Sequence, residues 1–170
     1  MKYLASGLFL FLLSFTSCLT VPEYPETPSI SFVSVNFQDQ SPTDYIYLTV
    51  SFKDGNGDLG LSNTDIQNPP FQEFINDSTR NPNHYNIFPV LFRKNGSDYD
   101  SIPVSYDGIF PRLREGAEAG PIEGTITYKL GSFNFFGEDS SIAKIRVYIQ
   151  DRALNKSNRI ETPPFPVVYR

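Results

Sequence analysis

Between Tyr45 and Phe52 the apolar residues fall at every second position: Ile46, Leu48, Val50 and Phe52 alternate with Tyr45, Tyr47, Thr49 and Ser51. The same period returns at 143–150, where Ala143, Ile145, Val147 and Ile149 alternate with Lys144, Arg146, Tyr148 and Gln150. An extended chain points successive side chains to opposite faces, so this alternation specifies strands with one face buried. A third run, 122–130, alternates as Ile122, Gly124, Ile126, Tyr128 and Leu130, while 29–37 changes phase between Phe32 and Val33, the mark of a bulge. Weaker strands are predicted at 87–93, 99–104 and 158–161, with Asn95-Gly96 as a hairpin turn. Helical spacing occurs only at Phe71, Phe74 and Ile75, in a stretch too short for more than two turns.

About seven such strands separated by turn chemistry predict an all-β fold, an antiparallel sandwich of the immunoglobulin or fibronectin type III kind. The material for its core is aromatic: 15 Phe and 10 Tyr among 170 residues, which also argues against disorder. With one Cys and no Trp, the Cys…Trp…Cys core of antibody domains is excluded, as are an internal disulfide and a Cys-rich metal site. The net charge of −5 argues against a nucleic-acid partner, which requires a basic face.

The one Cys has an informative place. Met1-Lys2 is followed by an apolar run from Leu4 to Phe15 that ends at Thr16-Ser17-Cys18. Charge, apolar run and small residues form a secretory signal, too short for a transmembrane helix. Phe15-Thr16-Ser17-Cys18 resembles the lipobox of bacterial lipoproteins, with Phe where Leu is usual. The division implied is a signal peptide over 1–17, a lipidated Cys18 with a proline-rich tether over 18–28, and the sandwich domain over 29–170. Loss of Lys2 leaves 13 basic against 19 acidic side chains, a surface that anionic headgroups repel. Membrane retention would then come from the acyl chains, at about 0.8 kcal/mol per buried CH₂.

The segment following the second strand concentrates oxygen ligands: Asp54-Gly-Asn56-Gly-Asp58-Leu-Gly60-Leu-Ser62-Asn-Thr-Asp65. Counted as a calcium loop from Asp54, ligands fall at Asp54, Asn56, Asp58, the Gly60 carbonyl, Ser62 and Asp65. Leu59 replaces the usual Gly, Asp65 the usual Glu, and no helices flank the loop, so it is not an EF-hand. An Asx-type turn closed by its own hydrogen bonds is the competing explanation. In a sandwich the connections after 45–53 and after 143–150 emerge at one end, which would bring Asp151 to Asp54 and Asp58. Three adjoining carboxylates repel one another unless a cation joins them. The expectation is Ca²⁺ held by Asp54, Asn56 and Asp58, with Asp151, and with Asp65 as a further ligand.

Together the Ser17-Cys18 lipobox, the loop Phe52-Lys-Asp-Gly-Asn-Gly-Asp-Leu-Gly60 and the closing Asp151-Arg-Ala-Leu-Asn-Lys-Ser157 resemble the immunoglobulin-like lipoproteins of Bacteroidota-type bacteria. The resemblance implies an envelope location, lipid-anchored at the outer membrane, more than it implies an activity. Asp77-Ser78-Thr79 and Asp100-Ser101-Ile102 also resemble the O-glycosylation sequon of that bacterial group, with Ser78 and Ser101 as acceptors.

Catalysis finds little support. His84, the single His, stands in a polar stretch expected to be an exposed loop, with no nucleophile elbow around it. The segment 131–137, with Phe133, Phe135 and Phe136, is expected to pack beneath the sandwich edge or to meet a partner. The connection 66–86 is long enough to be functional. The expected function is a non-catalytic cell-envelope binding or accessory module, stabilised by Ca²⁺ and meeting an envelope protein. The alternative is a glycan-binding lipoprotein of a polysaccharide capture system.

Overall fold

The computed structural model of the chain describes residues 22–38, 44–114, 116, 119–131 and 140–168. Cys18 and the Phe133–Phe136 segment lie outside the described residues. The architecture is all-β with antiparallel pairing, as the period-two pattern predicts. Strands β1 (Ser29–Gln38), β2 (Tyr45–Asp54) and β7 (Ile122–Gly131) form one sheet in the order β1-β2-β7. The second sheet runs β10 (Phe165–Val168), β8 (Ser140–Ile149), β5 (Ile87–Asn95), β6 (Asp98–Ser101), and β9 (Ile160–Glu161) also pairs with β8. β3 (Phe74–Asn76) and β4 (Thr79–Arg80) make a separate small hairpin.

The inward residues of both sheets meet in one apolar core. Ile46, Leu48 and Val50 of β2 pack in the same cluster as Ile145, Val147 and Ile149 of β8, all essentially excluded from solvent. Burying one such side chain is worth about 1.5–3 kcal/mol. The β1 phase change is a bulge at Val33, where the register to β2 slips between Phe32 and Ser34. Polar side chains finish the framework where strands lack a partner. Asn158 accepts from the Ile30 amide at 2.8 Å and donates to the Ile30 carbonyl at 2.9 Å, standing in for a strand across the two sheets. Asn86 does the same for Phe110, accepting and donating at 2.9 Å each.

Three local expectations need correction. The 71–75 stretch holds no helix: Phe71 is buried, whereas Phe74 and Ile75 belong to exposed β3, so the apparent helical spacing joins residues with different environments. The helical turn nearby is a single 3-10 turn, Asp65–Gln67. His84 is half-buried and not a free loop residue, because its Nδ1 lies 2.9 Å from the Phe71 carbonyl and ties the long connection down. The β5–β6 turn uses Gly96-Ser97, with Asn95 still paired to Asp98.

The proline-rich segment expected as a tether lies against the domain from Tyr24 onward. The Gly55 amide donates to the Pro25 carbonyl at 2.9 Å, the Tyr24 hydroxyl to Glu123 at 2.8 Å, and Pro28 is buried. The N-terminal approach to the domain therefore runs past the start of the acidic loop.

Candidate metal centre

β2 and β8 lie in different sheets and finish at the same end of the sandwich. Asp54 is the last residue of β2, and Asp151 follows β8 by two positions. The loop leaving β2 turns sharply through Gly57, at φ 72°, and Gly60, at φ 90°. At Gly60 a Cβ would also strike the Pro111 backbone, so only glycine fits there. Between them Leu59 is fully buried in the core cluster. Its presence where calcium loops carry Gly thus has a packing reason: it anchors the loop to the sandwich.

The result is a convergence of Asp54, Asp58 and Asp151, each offering a carboxylate oxygen within 4.8 Å of the others. Asp54 is 0% exposed and Asp151 2%, and Asp58 is half-buried. One oxygen of each loop carboxylate is engaged by backbone: Asp54 Oδ2 accepts from the Asp58 amide at 2.9 Å and Asp58 Oδ2 from the Ala153 amide at 3.1 Å. Asp151 accepts from the Asn155 amide at 2.7 Å and from the Asn155 side chain at 2.9 Å. The remaining oxygens, Asp54 Oδ1 and Asp58 Oδ1, are buried and have no hydrogen-bond partner. An orphaned buried carboxylate oxygen is costly, and two side by side more so.

The electrostatics follow from this placement. Burial first, and then the charge of Asp58, push the Asp54 carboxyl up to about 6. Asp58 is raised by burial and by Asp151, and Asp151 chiefly by burial. The charge of Arg152 offsets the rise of Asp58 and Asp151 only in part, and its Nη1 donates to the Leu59 and Gly60 carbonyls at 3.4 and 3.2 Å. Two carboxylate oxygens without donors from one loop, joined by a third carboxylate from another, are the donor set a hard divalent cation takes.

The other expected ligands are placed differently. Asn56 Oδ1 accepts from the Asp58 amide at 3.3 Å and braces the turn. Asp65 is no part of the cluster. Its Oδ1 accepts from Arg112 Nη2 at 2.6 Å, and its Oδ2 from Arg112 Nε at 2.8 Å and the Ser62 amide at 2.7 Å. Asp65 therefore serves as the counter-ion of Arg112, and Ser62 is engaged with it. With the Gly60 carbonyl held by Arg152, the segment does not wrap one ion along its length. The cluster is made across two loops instead. Arg112 and Arg152 carry no sequence signal for these roles, since each meets its partner through the fold alone.

Ser78 and Ser101, the positions expected to be O-glycosylated, are both exposed. Ser78 sits in the β3–β4 turn, its amide donating to Asn76 Oδ1 at 3.2 Å, and Ser101 ends β6 opposite Phe92. No protein-family model matches the chain, and no curated protein matches it significantly.

Proposed function

We propose that this chain is a non-catalytic binding or accessory module of the bacterial cell envelope, an immunoglobulin-like sandwich held at the outer membrane by lipid on Cys18 and stabilised by Ca²⁺. The observation that carries the calcium reading is the pair of buried, unpartnered oxygens Asp54 Oδ1 and Asp58 Oδ1 beside Asp151. A cation there satisfies both oxygens, removes the mutual repulsion of three carboxylates, and ties the loop after β2 to the loop after β8. Since these loops belong to opposite sheets, the ion acts as a clip across one end of the sandwich. Asp54, Asp58 and Asp151 would be the ligands, with Asn56 orienting the turn and Asp65 outside it.

The docking of Pro25 against Gly55 supports a membrane-proximal position for this end, because the chain from Cys18 reaches the domain beside the loop. Immunoglobulin-like topology is supported by the sheet orders β1-β2-β7 and β10-β8-β5-β6, with the chain crossing between sheets from β6 to β7 and again from β7 to β8.

Two experiments test the reading separately. Calorimetric titration of the mature chain with Ca²⁺ is expected to give saturable one-site binding and a raised melting temperature. Absence of both heat and melting shift overturns the calcium assignment. For the anchor, Cys18→Ser is expected to abolish labelled-palmitate incorporation and release the protein from membranes; unchanged membrane association overturns it.

A further inference from the structure

On one face of this acidic chain the described residues gather cations. The outward face of the β10-β8-β5-β6 sheet carries Lys144, Arg146 and Tyr148 along β8, facing Phe92, Val90 and Phe88 of β5. Each cation there is set on a ring: Lys144 Nζ lies 4.4 Å from the Tyr99 centroid, and the Arg146 guanidinium lies 4.9 Å from Phe92. Tyr148 stacks on Phe88, with centroids 4.6 Å apart and planes 10° from parallel. Lys156 and Arg159 then stand 5.6 and 5.3 Å from the Tyr148 ring. Against these four cations the face sets Glu161, bonded to Lys144 and Arg146, and Asp107, close enough to raise the Tyr148 hydroxyl pKa after burial.

The stripe runs into an open cleft of about 680 Å³ formed by the connection after β4, the connection after β6 and the end of β8. Phe88 and Tyr148 form apolar wall, Lys156 and Asp107 bring opposite charges, and Asn83 and Gln150 bring amides. We propose that this cleft and the cationic stripe beside it bind an acidic oligosaccharide, a hydroxyl-rich chain bearing carboxylates.

Charge complementarity selects the ligand class. Cations preordered over rings lose little entropy on meeting an anion, and on a chain of net charge −5 a local excess of four over two is a distinguishing feature. A ligand of anionic groups alone, whether phosphate or carboxylate, would leave Asp107 without a donor and the amides of Asn83 and Gln150 unused. Asp107 and the amides suit hydroxyls, which donate and accept, while Lys156 and Arg80 at the cleft suit carboxylates, so a sugar bearing carboxylates matches both kinds of group. The inference rests on this face alone and stands or falls independently of calcium.

The test is calorimetric binding of a tetra-uronate oligosaccharide to the full-length chain in nonionic detergent. The comparison ligands are a neutral tetrasaccharide, a single-stranded tetranucleotide and a tetra-glutamate peptide. Saturable binding of the uronate that weakens with added NaCl is expected, together with a loss of about ten-fold in the exposed pair Lys156→Ala and Arg159→Ala. Arg146→Ala is expected to weaken binding by a smaller factor. No uronate binding at millimolar concentration, equal binding of any comparison ligand, or unchanged affinity in both variants overturns the proposal.

Discussion

Asp54 and Asp65 leave the same loop eleven positions apart, and they occupy opposite electrostatic situations. Asp65 meets a guanidinium edge on, with both oxygens engaged, and Arg112 holds its carboxyl well below the usual carboxylate range. Asp54 is buried without a cation, keeps one oxygen unpartnered, and has its carboxyl pushed up to about 6. One acid is completed by the protein's own side chain. The other has the arrangement of a ligand that is completed from outside. Deeper burial raises Asp54, and the guanidinium folded into place beside Asp65 lowers it, so the two differ both in burial and in whether a donor stands beside the charge.

The largest expected effect breaks the comparison at Asp54 and Asp151. At a hundred-fold excess over its Kd, Ca²⁺ adds about 2.7 kcal/mol to the stability of the native state. For a domain of this size that is a melting rise of roughly 5–10 °C, read by differential scanning fluorimetry against an EGTA control. Asp54→Asn and Asp151→Asn should each remove most of that rise. Asp65→Asn should leave it intact even though the variant is less stable at every calcium concentration. A lost calcium response in Asp65→Asn, with the Asp54 variant unaffected, would reverse the assignment.

The next effect acts on the completed pair. Arg112→Ala removes a bidentate, charge-assisted contact whose Asp65 side chain is 15% exposed and whose Arg112 side chain is 35% exposed. Allowing for solvent screening, the cost is about 1–2 kcal/mol in urea unfolding, with the calcium-dependent increment unchanged. A cost near zero would mean that the Ser62 amide and hydroxyl suffice to hold Asp65.

These two acids also show which features were legible in the sequence. The strands of both sheets were readable because Ile46–Phe52 and Ala143–Ile149 alternate cleanly, and the β1 bulge was readable as a phase slip at Val33. β10 was not, since Phe165-Pro166-Val167-Val168 is too short and proline-interrupted to show a period, although Phe165 and Val167 are core residues. The meeting of Asp151 with Asp54 and Asp58 followed from topology: strands that end together bring their loops together. Asp65 was misplaced because ligand counting along a loop assumes that the chain wraps one centre. Its guanidinium partner is 47 positions away and leaves no mark near it. The Phe88–Tyr148 stack was invisible for the same reason, since only the β5–β8 register makes those rings neighbours.

The smallest effect sharpens the comparison as a pH profile in calcium-free buffer. A carboxyl whose folded pKa is raised makes the native state bind protons more tightly than the unfolded chain, so stability grows as pH falls through that value. With Asp54 near 6 in the folded state and ordinary when unfolded, acidification from pH 7.5 to 5 should stabilise the metal-free protein by roughly 1 kcal/mol. Asp65 has the opposite sign: its folded pKa is depressed, so its contribution is present above about pH 4 and is lost below it. The metal-free profile should therefore keep rising through pH 5 and pass through a maximum near pH 4. Saturating Ca²⁺ should remove the acid-side gain, because the ion requires Asp54 ionised and competes with the proton. In Asp54→Asn the gain between pH 7.5 and 5 should shrink even without calcium, leaving the smaller contributions of Asp58 and Asp151. A metal-free protein whose stability falls steadily from pH 7.5 to 5 would show that Asp54 is already satisfied by donors of the protein itself, and the distinction from Asp65 would collapse.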